Sequence, residues 1–130
     1  MPREPKYKAW GTDVKTMGEP WTITELIEAA FELSRAFSGK SVEELIETFS
    51  GHIFLEYTGM EDKNGVEIYE ADIVEIEDET YAIVWCEHEG NWAITKTPED
   101  PEKEHFVMGG QIRANGKVIG NLYPNPELLK

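Results

Sequence analysis

The feature that most constrains this chain is the stretch from Phe54 to Val74, and within it the four residues Asp62-Lys63-Asn64-Gly65. Asn and Gly both tolerate positive φ, so this tetrapeptide reads as a tight turn. On its N-terminal side Phe54, Leu55 and Tyr57 favour extended backbone. Gly59 then allows a backbone turn that a larger residue resists. On its C-terminal side the chain returns through Val66-Glu67-Ile68-Tyr69 and enters a second strand at Asp72-Ile73-Val74. A chain held by such a hairpin is expected to be mainly β, and Gly65 is expected to carry the positive φ.

Most of the remaining sequence agrees with that expectation. Residues 3–10 read as a first strand carrying Tyr7 and Trp10, with Pro5 making it an edge at that point because Pro cannot donate a ladder hydrogen bond. After Gly51, further strands are expected over residues 52–57, 72–77, 81–87, 91–97, 105–113 and 117–123. The turns between them are marked by Asp78-Glu79, Glu89-Gly90, Pro98 to Pro101 and Asn115-Gly116. Ala82-Ile83-Val84-Trp85 is apolar on both faces, as in a central strand. Trp92 and Ile94 alternate with Ala93 and Thr95, as in a half-buried strand. Gly109-Gly110 suggests a bulge inside the strand 105–113, a device by which small sheets curl into barrels.

Residues 22–49 break the β pattern. Thr22 and Glu25 form a capping box, and Trp21 can staple onto Leu26 across it. Ile23, Leu26, Ile27, Ala30, Leu33 and Phe37 then recur at helical spacing up to Ser38-Gly39. Ser41 and Glu44 cap a second helix whose apolar face is Val42, Leu45, Ile46 and Phe49. The expectation is an α+β domain in which a helical hairpin near residues 22–49 is inserted into a β framework.

Length and charge bound the function. At 130 residues, 40% of them hydrophobic, the chain suits one domain, residues 1–130. Twelve basic residues stand against 26 acidic ones, a net charge of −14. Residues 61–104 hold 15 acidic and 3 basic residues, a net of −12. Such a chain repels a phosphate backbone, so direct nucleic-acid binding is not expected. A protein partner with a basic surface fits better, and a homo-oligomer is compatible with the composition. No apolar run approaches the ~20 residues that span a bilayer, and the N-terminus lacks a signal-peptide segment. A cytoplasmic protein is expected, with no membrane partner.

No chemical motif stands out from the structural background. Cys86 is the one cysteine, and its neighbours Ile83, Val84 and Trp85 suggest a buried thiol. Cys86 and His88, with His105 and His52, lack the second ligand pair of a familiar metal site, so no metal or cofactor is expected. Ser34, Ser38, Ser41 and Ser50 sit in or beside the predicted helices, outside any nucleophile elbow. Glu75, Glu77, Asp78 and Glu79 read as a solvated hairpin. Asp72 sits between a turn and an apolar strand, where its carboxylate can accept backbone N–H bonds and hold the corner. Tyr57, Thr58, Tyr69 and Asn121 can serve as internal ties or line a recognition surface.

Three blocks resemble the YopX-like proteins encoded by phages and prophages. The first is Arg3-Glu4-Pro5-Lys6-Tyr7-Lys8-Ala9-Trp10-Gly11 with Met17 beyond it, where Pro5 replaces a usual apolar residue. The second is Tyr57-Thr58-Gly59-Met60-Glu61-Asp62-Lys63-Asn64-Gly65-Val66-Glu67-Ile68-Tyr69-Glu70-Ala71-Asp72-Ile73-Val74. The third is Val118-Ile119-Gly120-Asn121-Leu122-Tyr123-Pro124-Asn125-Pro126-Glu127-Leu128-Leu129. The resemblance implies a small, strongly bent SH3-like β-barrel, and it carries no biochemical activity. The family usually has Gly where this chain has Ala71, and the expectation is that the position needs only a small side chain. The signature residues Tyr57, Thr58, Gly59, Asn64, Gly65, Tyr69, Asp72 and Asn121 are the candidates for partner binding or for holding the fold. Functionally, a non-enzymatic accessory protein that binds another protein in the host bacterial cytoplasm comes first. An acidic mimic of nucleic acid that occupies a DNA-binding protein comes second, and an enzyme third.

Overall fold

The structure, a computed structural model, describes residues 5–12, 15–22, 24–25, 28, 52–101 and 103–129. The chain forms two compact units, Met1–Glu56 and Tyr57–Lys130. Among the described residues, both consist mainly of antiparallel β-strands.

In the first unit, strand β1 (Lys6–Gly11) has β4 (His52–Glu61) on one edge and the short strands β2 (Thr16–Met17) and β3 (Trp21–Thr22) on the other. Strand β1 is therefore not the edge anticipated from Pro5. Pro5 stands one residue before the ladder, where its missing N–H costs nothing. The Thr22 hydroxyl accepts the Glu25 N–H at 3.1 Å, the first half of the expected capping box, and Thr24, Glu25 and Glu28 are helical. The rest of the helical hairpin, including the Leu26 staple and the Ser41–Glu44 cap, lies outside the described residues.

The second unit begins with the later half of β4, paired to β5 (Glu67–Tyr69) through Tyr57↔Tyr69 and Glu61↔Glu67. Four residue steps on β4 face two on β5, so β4 bulges, and Gly59 carries φ +86° there. The Thr58 hydroxyl closes the bulge, donating to the Ile68 carbonyl at 2.8 Å and accepting the Met60 N–H at 3.2 Å. Gly65 takes φ +77° in the following turn, as the Asn-Gly pair predicts.

A five-stranded antiparallel sheet completes this unit, in the order β10-β6-β7-β8-β9. Its strands are β6 (Asp72–Ile76), β7 (Glu79–Cys86), β8 (Asn91–Thr95), β9 (Phe106–Val107) and β10 (Lys117–Asn121). One face of it carries the core of Ile68, Val74, Ile83, Ile94, Met108 and Ile112. Tyr81, Trp92 and Val118 pack against that core. Strand β7 is central, as its sequence suggests, but Trp85 near its end is 45% exposed.

Four local expectations are corrected. The strand over 105–113 is a two-residue strand followed by the helix α1 (Gly110–Asn115). Gly109-Gly110 opens that helix and makes no bulge; Gln111, Arg113 and Ala114 are good helix formers, and Ile112 is fully buried in the core. The β6–β7 turn is Glu77-Asp78, one residue earlier than expected, with φ of +49° and +68°. That is the geometry of a type I′ turn, which suits the twist of two strands joined by two residues. Strand β8 is covered on both faces: Ala93, Ile94 and Thr95 are all buried. The loop after β8 provides the second cover, with the Thr95 hydroxyl donating to the Glu104 carbonyl at 2.5 Å. Lastly, Ala71 takes φ +67°. The position does require a left-handed backbone, and not merely a small side chain. Its N–H donates to Ile83 O and its carbonyl accepts from Leu122 N, both at 2.8 Å, and these two bonds fix the conformation.

Candidate functional site

Two carboxylates organise the signature region. Asp72, 3% exposed, accepts the Tyr69 N–H on Oδ2 at 2.8 Å and the Asn121 side-chain amide on Oδ1 at 2.9 Å. Asn121 in turn donates to Glu70 O and accepts the Tyr123 N–H at 3.0 Å. The corner before β6 is thus bolted to the end of β10, which is the role the sequence suggests for Asp72. Asp62 does the same for the turn before β5. Its Oδ1 accepts the N–H groups of Asn64 and Val66 at 2.8 and 3.0 Å, and its Oδ2 accepts Val118 N–H at 2.9 Å. Burial alone raises a carboxyl pKa; here the bonds from Val118, Val66 and Asn64, with nearby Lys63, outweigh it and hold Asp62 below its ordinary value. The sequence shows Asp62 only as a turn former. Its bond to Val118 crosses 56 positions, and no local pattern signals it.

The aromatic pair is inward too. Tyr69 is fully buried, its ring centroid lies 5.4 Å from that of Tyr57, and its hydroxyl donates to Glu67 at 3.2 Å. Burial first, and then the Glu67 carboxylate, push its pKa far above the ordinary phenol value. Tyr69 is therefore a neutral, fully buried phenol. Of the eight signature candidates, Thr58, Tyr69, Asp72 and Asn121 serve as internal ties and Tyr57 stacks beside them. Gly59 shapes the bulge, while Asn64 and Gly65 are the exposed tip of the turn.

An open surface lies beside these ties. A cleft of about 400 Å³ is lined by Trp85, Tyr123, Pro98 and Pro101 with Glu70 and Glu87, and among the described residues no basic one lines it. Trp85 is 45% exposed and Tyr123 38% exposed. The T-shaped contact of Trp85 with Trp92, at 5.2 Å between centroids, holds its ring in place. Sequence reading misses this surface because Trp85 sits in an apolar run that reads as core, and its companions come from segments up to 38 positions away.

Of the four candidate metal ligands, the same topology sets His88 and His52 apart and brings Cys86 and His105 together. Strand β7 ends at Cys86, so His88 lies in an exposed turn and does not share a strand face with it. His52 opens β4 and is exposed. Cys86 itself is buried, as expected, and His105 comes to 4.0 Å from its sulfur. Among the described residues no helix is long and apolar enough to cross a membrane.

Comparison with known proteins places this architecture. The family model described as YopX protein matches residues 6–130. Among solved structures, the crystal structure of protein EF1440 from Enterococcus faecalis is similar at a TM-score of 0.58 and 22% identity, covering 97% of this chain and 98% of that one. That likeness concerns the fold. No curated protein matches the chain.

Proposed function

Since the chain belongs to the YopX protein family, we propose that it is a phage- or prophage-encoded accessory protein acting as a non-enzymatic binding module in the bacterial cytoplasm. Its second unit is read as an SH3-like barrel that presents the Trp85–Tyr123 cleft to a partner protein. The observation carrying this reading is the cleft itself: exposed aromatic rings and half-buried prolines beside two glutamates. Aromatic rings supply apolar area at low entropic cost, and Glu70 and Glu87 select for Lys or Arg. The matching ligand is an extended segment that alternates apolar and basic side chains.

The test is a pull-down from host lysate with the wild type and the variants Trp85→Ser, Tyr123→Ser and Glu70→Lys/Glu87→Lys. Circular dichroism confirms that each is folded. A protein retained by the wild type and lost from the cleft variants, with retention falling as salt rises, is the expected result. Retention of a DNA-binding protein by all variants alike would replace this reading with the nucleic-acid mimic, for which the 15 acidic residues of the segment 61–104 are the motive.

A further inference from the structure

A different cluster in the second unit carries the chemistry of a metal centre. Cys86 ends β7, Glu89 lies in the β7–β8 turn, and His105 precedes β9. Their ligand atoms all lie within 4.8 Å of one another. His105 Nε2 is 4.0 Å from Cys86 Sγ and 3.1 Å from Glu89 Oε1. The three residues span 20 sequence positions and are brought together by the hairpin and the loop that folds back over β8.

The orientation of the imidazole is the decisive detail. His105 Nδ1 lies 2.9 Å from the Pro101 carbonyl oxygen, which can only accept, so Nδ1 carries a proton. A backbone carbonyl on the far nitrogen is the usual outer partner of a metal-bound histidine, because it fixes the tautomer and aims the other lone pair. That other nitrogen, Nε2, faces a carboxylate and a sulfur. Two lone pairs at 3.1 Å repel unless a positive charge lies between them. Either a proton fills that position, giving a simple His105–Glu89 ion pair, or a cation does. The sulfur beside Nε2 adds the ligand that a soft-to-borderline cation favours.

We propose that Cys86, Glu89 and His105 bind one divalent cation of the zinc class. Tetrahedral zinc, at ~2.3 Å from sulfur and ~2.1 Å from nitrogen, sets those two atoms about 3.6 Å apart. The observed 4.0 Å closes to that value with a movement of a few tenths of an ångström. Coordination takes the thiol as thiolate and releases its proton to solvent. Three protein ligands leave a fourth position for water. Asn91, paired directly across the ladder from Cys86, has a buried side-chain oxygen without a hydrogen-bond partner among the described residues. It is an acceptor on the same face as the cysteine, suited to hold such a water. Thiolate and imidazole together disfavour Mg²⁺ and Ca²⁺, which take oxygen ligands.

The experiment uses the full chain, stripped with chelator and titrated with Co²⁺ and then Zn²⁺. One equivalent of Co²⁺ should give a thiolate-to-cobalt charge-transfer band and the intense d–d absorption of a tetrahedral site, both lost as Zn²⁺ displaces it. Glu89→Gln and His105→Gln should each weaken Zn²⁺ at least tenfold, and Cys86→Ser should abolish the charge-transfer band. Glu89 is exposed, so its variant folds and keeps the proposal falsifiable if Cys86→Ser does not. His88→Ala should bind like the wild type. Absence of the charge-transfer band, or Zn²⁺ affinity unchanged in both Glu89→Gln and His105→Gln, would overturn the proposal and leave the His105–Glu89 ion pair.

Discussion

Single residues set the strained and the anchored points of this chain. Ala71 holds φ +67°, a conformation costing an L-residue roughly 1–2 kcal/mol. Glycine removes that cost, though its greater freedom in the unfolded chain takes part of the gain back. Ala71→Gly is expected to stabilise by about 0.5–1 kcal/mol, read as a rise in denaturant midpoint at unchanged m-value. A lower midpoint would mean that the methyl group contributes packing that outweighs the strain. Asp62 is the opposite case, with three backbone N–H groups relying on its two oxygens. Asp62→Asn sets an amide donor against a donor whichever way it is turned, at an expected cost of about 1–3 kcal/mol. The same bonds predict a pH dependence. The folded pKa lies below the unfolded value, so the contribution is complete above the unfolded value and is lost as pH falls through the folded one. Urea unfolding at about pH 7 and about pH 3 should show a wild-type loss that is smaller in Asp62→Asn.

At the scale of elements, the β6–β7 hairpin shows a local rule broken. Type I′ turns favour Asn-Gly, yet Glu77 and Asp78 occupy both positive-φ positions here. The pair register Ile76↔Glu79 leaves a two-residue loop, for which the primed turn types suit the strand twist. Replacing the two by Asn-Gly should raise the thermal midpoint by several degrees, equivalent to about 1 kcal/mol or more. An unchanged midpoint would show that the hairpin is imposed entirely by the flanking strands. The same principle explains the misread segment 105–113. Its Gly109-Gly110 pair reads as a bulge because strands flank it in sequence, whereas burial of Ile112 against the core favours a helix. Burying such a side chain is worth roughly 1.5–3 kcal/mol, more than the small differences of local propensity.

For the whole molecule, charge makes the firmest prediction. With a net of −14, the protein should give no shift of duplex DNA in a gel assay at moderate salt. Tight DNA binding would require a basic surface that the acidic segment does not screen. The ion pair of Lys96 with Glu79, next to the β6–β7 turn, neutralises little of that segment.

The central turn, the positive φ of Gly65, the strand at 72–76, the buried Cys86 and the corner role of Asp72 were all legible in the sequence. Each depends on the residue's own conformational preference or on neighbours a few positions away. The Asp62–Val118 and Asp72–Asn121 ties, the outward Trp85, the left-handed Ala71 and the meeting of Cys86, Glu89 and His105 were decided by tertiary structure alone. Those features depend on which strands become neighbours. A side chain's exposure, or its partner 49 or 56 positions away, follows from the order of strands in the sheet, and local sequence preferences do not encode that order.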